Sequence, residues 1–142
     1  MKKRIFFTTI FRDSIQKINL DISQDDLDWL YQEISLDIDN KGFGKAFFEK
    51  ITECSGTRLI HFENFDNNQL HVVTELTYKN GEDEFRPDVI CLTNVISLVF
   101  IEVKKPNNRN GVLAEKDRIN KRFRDKKFRR FVNITQFMIF SN

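Results

Sequence analysis

The sequence has 142 residues, 40% of them hydrophobic and 13% aromatic, which is enough for one domain with a buried core. Phenylalanine accounts for 15 residues against five Gly and two Pro, and this composition excludes a collagen-like or low-complexity chain. The formal net charge of +2 excludes a strongly charged chain as a whole, so any charged surface must arise from local segregation of charge.

The N-terminal region does not match a targeting signal. An apolar run over Ile5 to Phe11 follows basic residues, but it contains two threonines and is closed by Arg12 and Asp13 without a small-residue cleavage site. No run is long enough to span a bilayer. We therefore expect a cytoplasmic protein with no membrane partner.

Two helices are predicted in the first half. Ser23 supplies an N-cap, and apolar residues at helical spacing follow it, so the first helix is predicted over about 24–36. A second helix is predicted over about 44–52, where Phe47, Phe48 and Ile51 recur at helical spacing.

The second half changes to short β-type segments. Strands are predicted over 71–78, 86–92 and 97–103 as a consecutive antiparallel meander. A basic helix is predicted over about 111–124, with Leu113, Ile119 and Phe123 on its inner face, and a buried strand over 133–141. This order predicts a mixed α/β fold in a single domain over 1–142, with a helical part over about 1–60 and a sheet core over about 69–142.

Three charged residues mark the ends of two of these strands. Asp88 precedes an apolar run, and Glu102 and Lys104 follow another that is apolar on both faces and is therefore expected inside the sheet. Because side chains alternate along a strand, Glu102 and Lys104 project from one face. The alternative is structural: Asp88 caps a turn, and Glu102 and Lys104 form a surface ion pair.

The separation of the two acids constrains the hairpin between them. Asp88 and Glu102 lie an even number of residues apart, so a hairpin centred on Val95 sets them opposite each other on one face. A plain two-residue turn at Asn94 and Val95 would send Asp88 to the other face. We therefore predict a longer or bulged connection.

Two converging carboxylates repel each other unless a cation lies between them, and Mg²⁺ suits such oxygen ligands, with Mn²⁺ as a substitute. The predicted ligands are Asp88, Glu102 and the backbone carbonyl of Val103. Lys104 either orients or deprotonates an attacking water, or neutralises charge in the transition state.

Residues 104–130 hold 12 Lys/Arg against three Asp/Glu, whereas the remainder holds 11 against 18. A basic segment of this kind is typical of a surface that binds nucleic-acid phosphates. The predicted DNA contacts are Lys116, Arg118, Lys121, Arg122, Arg124, Lys126 and Lys127.

The pair Pro87-Asp88 with Glu102-Val103-Lys104 resembles the signature of PD-(D/E)xK nucleases. The longer segments FRPDVICLTNVISLVFIEVKKP (85–106) and NITQFMIFSN (133–142) resemble the N-terminal nuclease domain of the R subunit of type I restriction-modification enzymes. The resemblance implies that Asp88 and Glu102 bind Mg²⁺, that Lys104 is catalytic and that the substrate is double-stranded DNA. It also implies methylation and specificity subunits as partners, and a larger polypeptide whose ATP-driven translocase lies outside this sequence, which has no phosphate-binding loop motif.

The sequence departs from the family at an accessory Gln-x-x-x-Tyr motif, which the predicted basic helix lacks. Asn120, with an amide that could replace the Gln, or Arg118 is the positional substitute for the Gln, and Phe123 or Arg124 lies near the aromatic position. Glu33 is a candidate for a further carboxylate.

Two other functions remain open at this point. One is a non-catalytic DNA-binding or docking module, in which the basic segment alone acts. The other is a different PD-(D/E)xK nuclease, such as a repair nuclease or a resolvase.

Overall fold

The computed structural model describes residues 2–42, 44–53, 56–80, 82–105 and 110–141, and these form five α-helices and six β-strands. The helices are α1 (Lys2–Ile18), α2 (Gln24–Asp37), α3 (Lys45–Thr52), α4 (Gly111–Arg124) and α5 (Arg129–Ile134). The strands are β1 (Leu70–Thr74), β2 (Tyr78–Asn80), β3 (Asp83–Phe85), β4 (Val89–Thr93), β5 (Ile96–Val103) and β6 (Phe137–Ser141). The predicted mixed α/β class is confirmed.

The main sheet has the strand order β1-β4-β5-β6. β1 and β5 both pair antiparallel with β4, and β6 pairs parallel with β5. β5 therefore lies inside the sheet, as its apolar sequence predicts.

The predicted meander is interrupted. The strand expected over 71–78 ends at Thr74, because Glu75 has a φ of 53° and its N–H bonds to the carbonyl of Asp88. β2 and β3 then pair with each other as a separate two-stranded sheet, so β1 meets β4 directly. The three predicted strands are neighbours in the predicted antiparallel order, as β1, β4 and β5, and the prediction was wrong only in the length of its first strand and in lacking β2 and β3.

Two hydrophobic clusters pack against the sheet. The first joins α1, α2 and α3 to the start of β5, and its buried residues are Ile15, Leu27, Leu30, Ile38, Phe47, Ile51, Leu59, Ile60 and Ile96. The second joins β3, β4 and β5 to α4 and α5, and its buried residues are Phe85, Ile90, Leu92, Phe100, Ile119, Phe128 and Phe131. The first cluster thus meets the sheet at the start of β5, whereas the second extends along β4 and β5 beneath α4 and α5.

The first two predicted helices are confirmed within one residue at each end. Ser23 and Asp26 form a capping box at the start of α2, which explains why the helix begins there. The sequence pattern predicted no element for residues 2–18, which form α1, and the buried Ile15 fixes this helix in the first cluster. Within the residues that the structure describes, no helix is both long and apolar enough to cross a membrane.

The last strand is shorter than predicted. The prediction began at Asn133, but Asn133 and Ile134 form the end of α5 and β6 begins at Phe137. The buried amide of Asn133 donates to the carbonyls of Ile38 and Asn40, both at 2.8 Å, which holds this segment against the loop after α2. β6 is an edge strand with alternating half-buried and exposed residues, so the prediction of a buried strand was also wrong.

Candidate active site

The hairpin between β4 and β5 sets the relative position of the charged residues. Asn94 and Val95 form a two-residue turn with φ values of 50° and 69°, the positive values of a type I′ turn. Further from the turn in the same hairpin, Cys91 pairs with Val99 while Leu92 pairs with Ser97, so Leu98 is an extra residue in β5. The connection is bulged, as predicted.

The bulge restores the register that the turn alone would lose. Beyond it, Val89 pairs with Ile101 and Ile90 with Phe100, which is the pairing of a hairpin centred on Val95. The next positions outward are Asp88 and Glu102. Phe100 and Ile90 both pack in the second cluster, so Glu102, two residues after Phe100, lies on that face.

Asp88 is held at the end of β5 by a hydrogen bond to the backbone. The N–H of Val103 donates to Oδ2 of Asp88 at 2.8 Å. Val103 is the residue between Glu102 and Lys104, so the structure brings the three predicted catalytic residues to one strand end. The role of the Val103 carbonyl as a metal ligand stays a prediction.

Glu102 is a buried carboxylate, and one of its oxygens lacks a partner among the residues that the structure describes. Only 4% of the residue is exposed. Its Oε1 accepts from the ammonium of Lys104 at 2.6 Å, whereas no donor reaches Oε2 within the described parts of the chain. An unpaired buried carboxylate oxygen is costly, because burial removes its hydration without replacing it. Glu102 and Lys104 do form an ion pair, but Glu102 is buried, so the alternative of a surface ion pair is wrong.

Two residues of α4 complete a cluster that we call the charge quartet: Glu102, Lys104, Glu115 and Arg118. The Nζ of Lys104 lies 3.1 Å from Oε2 of Glu115, and the guanidinium of Arg118 donates to Oε1 of Glu115 at 2.5 and 2.8 Å. Arg118 also lies 3.6 Å from Oε1 of Glu102. The quartet joins the end of β5 to α4 by alternating charges.

The charge quartet raises the pKa of Lys104. Burial alone would lower the pKa of the Lys104 ammonium, but hydrogen bonds and charges from Glu102 and Glu115 outweigh burial and raise that pKa above its ordinary value. The ammonium form of Lys104 is thus stabilised in this arrangement.

Glu115 is the site residue that the sequence pattern did not predict. It is 4% exposed and occupies the inner face of α4, where Leu113 was predicted. Leu113 is 63% exposed, so that part of the prediction was wrong, while Ile119 is buried as expected and the side chain of Phe123 lies outside the described residues. The spacing of four residues between Glu115 and Ile119 was the available signal.

The two remaining candidates lie elsewhere. Asn120 is exposed on α4, one residue after the buried Ile119, and so lies on a different face of the helix from Glu115. Glu33 on α2 accepts from Lys50 of α3 at 2.9 Å and so joins two helices of the first cluster. The accessory role of Asn120 stays a prediction.

Most of the predicted DNA-contact residues are exposed. Those with exposed side chains and no place in the charge quartet are Lys116, Lys121, Arg124, Lys126 and Lys127. Arg118 is a member of the charge quartet. Arg122 differs, because its guanidinium lies 4.4 Å from the ring centroid of Phe85 and its Nη1 is buried without a partner among the described residues. Burial and the charge of Arg118 lower the pKa of Arg122.

The chemistry of the site is that of two carboxylates and a lysine. Searched over the described ranges, the chain has no group of three His, Cys, Asp or Glu side chains placed to hold a metal ion. Binding of a cation at this site stays a prediction.

Comparison with known proteins identifies the family of this chain. The sequence model of the family described as "Type I restriction enzyme R protein N terminus" matches residues 2–142. Searches of curated proteins and of solved structures found no match. Because the family match spans nearly every residue, including Asp88 and Glu102, the chain belongs to the family of type I restriction enzyme R protein N termini.

Proposed function

We propose that this site hydrolyses phosphodiester bonds of double-stranded DNA with a divalent cation, as the nuclease domain of a type I restriction enzyme. The observation that carries the proposal is the buried carboxylate of Glu102, whose Oε2 has no donor among the described residues. Asp88 accepts from the N–H of Val103, the residue after Glu102, so the two acids lie at the same end of the β4–β5 hairpin.

The residues fit Mg²⁺, with Mn²⁺ as a substitute, because the site offers hard oxygen ligands. Asp88 and Glu102 would each give one oxygen, and the carbonyl of Val103 is the candidate for a third. When bound, the cation would polarise a phosphoryl oxygen and lower the pKa of a water molecule that it holds.

Lys104 supplies the positive group beside these acids. Its ammonium lies 2.6 Å from Glu102, so it would stand next to any phosphate that the acids and their cation receive. From there it can orient the attacking water, or stabilise the negative charge that builds up as the phosphate is attacked.

The exposed basic residues of α4 and of the 3₁₀ turn Lys126–Phe128 suit the DNA backbone. Contacts of lysine and arginine with phosphates position a duplex without reading its sequence. We propose that sequence recognition and ATP-driven movement come from the specificity subunit and the translocase domains of the same enzyme, together with its methylation subunit.

A non-catalytic DNA-binding module is the second function considered. Such a module would need the basic surface but has no use for a buried carboxylate oxygen without a partner, which costs stability in the absence of a cation. The family match favours a restriction enzyme over a repair nuclease or a resolvase.

The test is DNA cleavage by the restriction enzyme assembled with variant R protein, together with Mg²⁺ or Mn²⁺ titration of the full chain. Asp88→Asn and Glu102→Ala should lower the cleavage rate by at least about 100-fold and abolish cation binding, since the chemistry depends on the ion. Lys104→Ala should lose cleavage to a similar extent and still bind the cation.

Asp88→Asn is the sharper variant of Asp88, because the amide oxygen can still accept from Val103 while the charge is lost. Glu49→Ala, which removes an exposed carboxylate on α3, is the matched control and should cleave like the unmodified enzyme. Cleavage that persists in all three site variants would refute the assignment. A chain that binds DNA but no cation would instead support the docking module.

A further inference from the structure

We propose that Glu115 is a positioning residue: it anchors the ammonium of Lys104 when Glu102 is engaged by a cation. This inference rests on the proposed function, because it assigns a task to α4 in the same site. Glu115 would touch neither the cation nor the DNA, and would act through Lys104.

The contacts of Lys104 suggest this role. Its Nζ lies 2.6 Å from Oε1 of Glu102 and 3.1 Å from Oε2 of Glu115, so the ammonium bridges the sheet and α4. A carboxylate that binds a cation has less charge to share with an ammonium. When Glu102 is so engaged, Glu115 is the partner that keeps Lys104 beside the strand end.

Glu115 is itself fixed. Arg118 donates to its Oε1 through two nitrogens, which leaves Oε2 directed at Lys104. The carboxylate is 4% exposed, and the buried Ile119 on the next turn of α4 packs in the second cluster. A side chain held by a guanidinium and by burial is a better anchor than an exposed glutamate, because little side-chain freedom remains to be lost.

The balance of charge supports the same conclusion. The charge quartet holds two carboxylates and two basic groups, so it is neutral as it stands. A divalent cation at Glu102 adds positive charge, and Lys104 and the cation then compete for one carboxylate. Glu115 lowers the cost of that competition by offering Lys104 a second carboxylate at hydrogen-bond distance.

The experiment compares Glu115→Gln with Asp117→Asn, which removes one negative charge from an exposed position on the same helix. In the assembled enzyme, Glu115→Gln should lower kcat for DNA cleavage by about tenfold or more while KM for DNA changes little, as is common when the partner of a site residue is removed. Asp117→Asn should leave both values unchanged.

A second readout is independent of cleavage. Calorimetric Mn²⁺ titration of the full chain should give weaker binding for Glu115→Gln, because Lys104 then rests on Glu102 alone. In a Lys104→Ala background the same change should have a much smaller effect, and this non-additivity is the signature of action through Lys104. An equal loss of affinity with and without Lys104 would overturn the inference.

Stability measurements show whether a loss of activity in a Glu115 variant arises from the position of Lys104 or from a chain that no longer folds. Denaturant unfolding identifies any variant that fails to fold, and Glu115→Asp then serves in its place, since it keeps the charge but withdraws the carboxylate. If Glu102→Ala abolishes cation binding while Glu115→Gln matches Asp117→Asn in both assays, the inference fails and the proposed function stands. If the chain binds no cation at all, both fail.

Discussion

Asn94 shows how much of the site depends on one residue far from the chemistry. It is 0% exposed and takes the first central position of the β4–β5 turn with a φ of 50°. Its side chain accepts from the N–H of Gln69 and donates to the carbonyl of Leu59 and to Asn68, all within 2.9 Å. Asparagine tolerates this backbone conformation better than other residues with a side chain. Asn94 therefore fixes the turn from which the register of Asp88 and Glu102 follows.

Asn94→Ala should destabilise the chain by about 3 kcal/mol or more, because it leaves buried hydrogen-bonding groups without partners and puts alanine at a positive φ. Asn94→Gly should lose about 1 kcal/mol less, since glycine accepts that φ without strain. Denaturant unfolding measures both. Equal stability of the alanine and glycine variants would contradict the claim that the positive φ at position 94 strains an alanine backbone.

At this scale the sequence predicts the residues that lie on strands and misses the one on the helix. Glu102 and Lys104 could be assigned to one face because the alternation of a strand is regular, and Asp88 could be placed because only an even separation sets it opposite Glu102. Glu115 could not be found in the same way. A glutamate in a basic helix looks like an exposed residue, and its burial depends on Lys104 and Arg118, which meet it only in the fold.

α4 is the element on which sequence and structure differ most in the site. Its predicted bounds are confirmed, but Leu113 points to solvent and Glu115 points inward, because the inner face runs through Glu115 and Ile119. Helical periodicity read from apolar residues alone follows the wrong face when a charged residue occupies an inner position.

Ile119→Ala should therefore cost about 3 kcal/mol, the usual range for removing most of a buried isoleucine side chain. Leu113→Ala on the same helix should change the free energy of unfolding by less than about 0.5 kcal/mol, as is usual at exposed positions. Chemical denaturation of the two variants checks this. A larger loss of stability in Leu113→Ala than in Ile119→Ala would show that Leu113 lies on the inner face after all.

The strands were predicted well where pattern and pairing are local. β4 and β5 lie close to their predicted ranges, and the bulge at Leu98 was anticipated as a bulged or longer connection. The sequence did not predict the end of β1 at Thr74 or the start of β6 at Phe137. Both depend on interactions with distant residues, such as the hydrogen bond from Glu75 to Asp88, which no local pattern contains.

At the scale of the molecule, the basic segment from 104 to 130 divides into side chains that pack inside the fold and side chains that are exposed. Lys104 and Arg122 turn inward, toward Glu115 and Phe85, and the half-exposed Arg118 is paired with Glu115. Only the exposed basic side chains of the segment remain available for the proposed contacts with DNA. Charge counts along a sequence overstate the surface that is accessible to DNA, since they include the inward residues.

Lys126→Ala combined with Lys127→Ala should weaken binding of the full chain to non-specific DNA and lower the slope of log K against log salt by about 2, because each phosphate that a lysine neutralises contributes about 0.9 to that slope. Lys41→Ala combined with Lys45→Ala removes the same charge near the start of α3 and should leave the slope unchanged. Fluorescence anisotropy over a series of salt concentrations gives both slopes. An unchanged slope in the first variant would remove Lys126 and Lys127 from the DNA-binding surface.

The turn at Asn94 and the extra residue at Leu98 carry a consequence for how this molecule can change over time. Both arms of the hairpin end in site residues, so gaining or losing a single amino acid between Asp88 and Glu102 would turn one acid away from the other. Length variation here should come in steps of two, or in single steps that gain or lose a bulge at the same time. The spacing of the two acids is thus expected to be inherited as a unit.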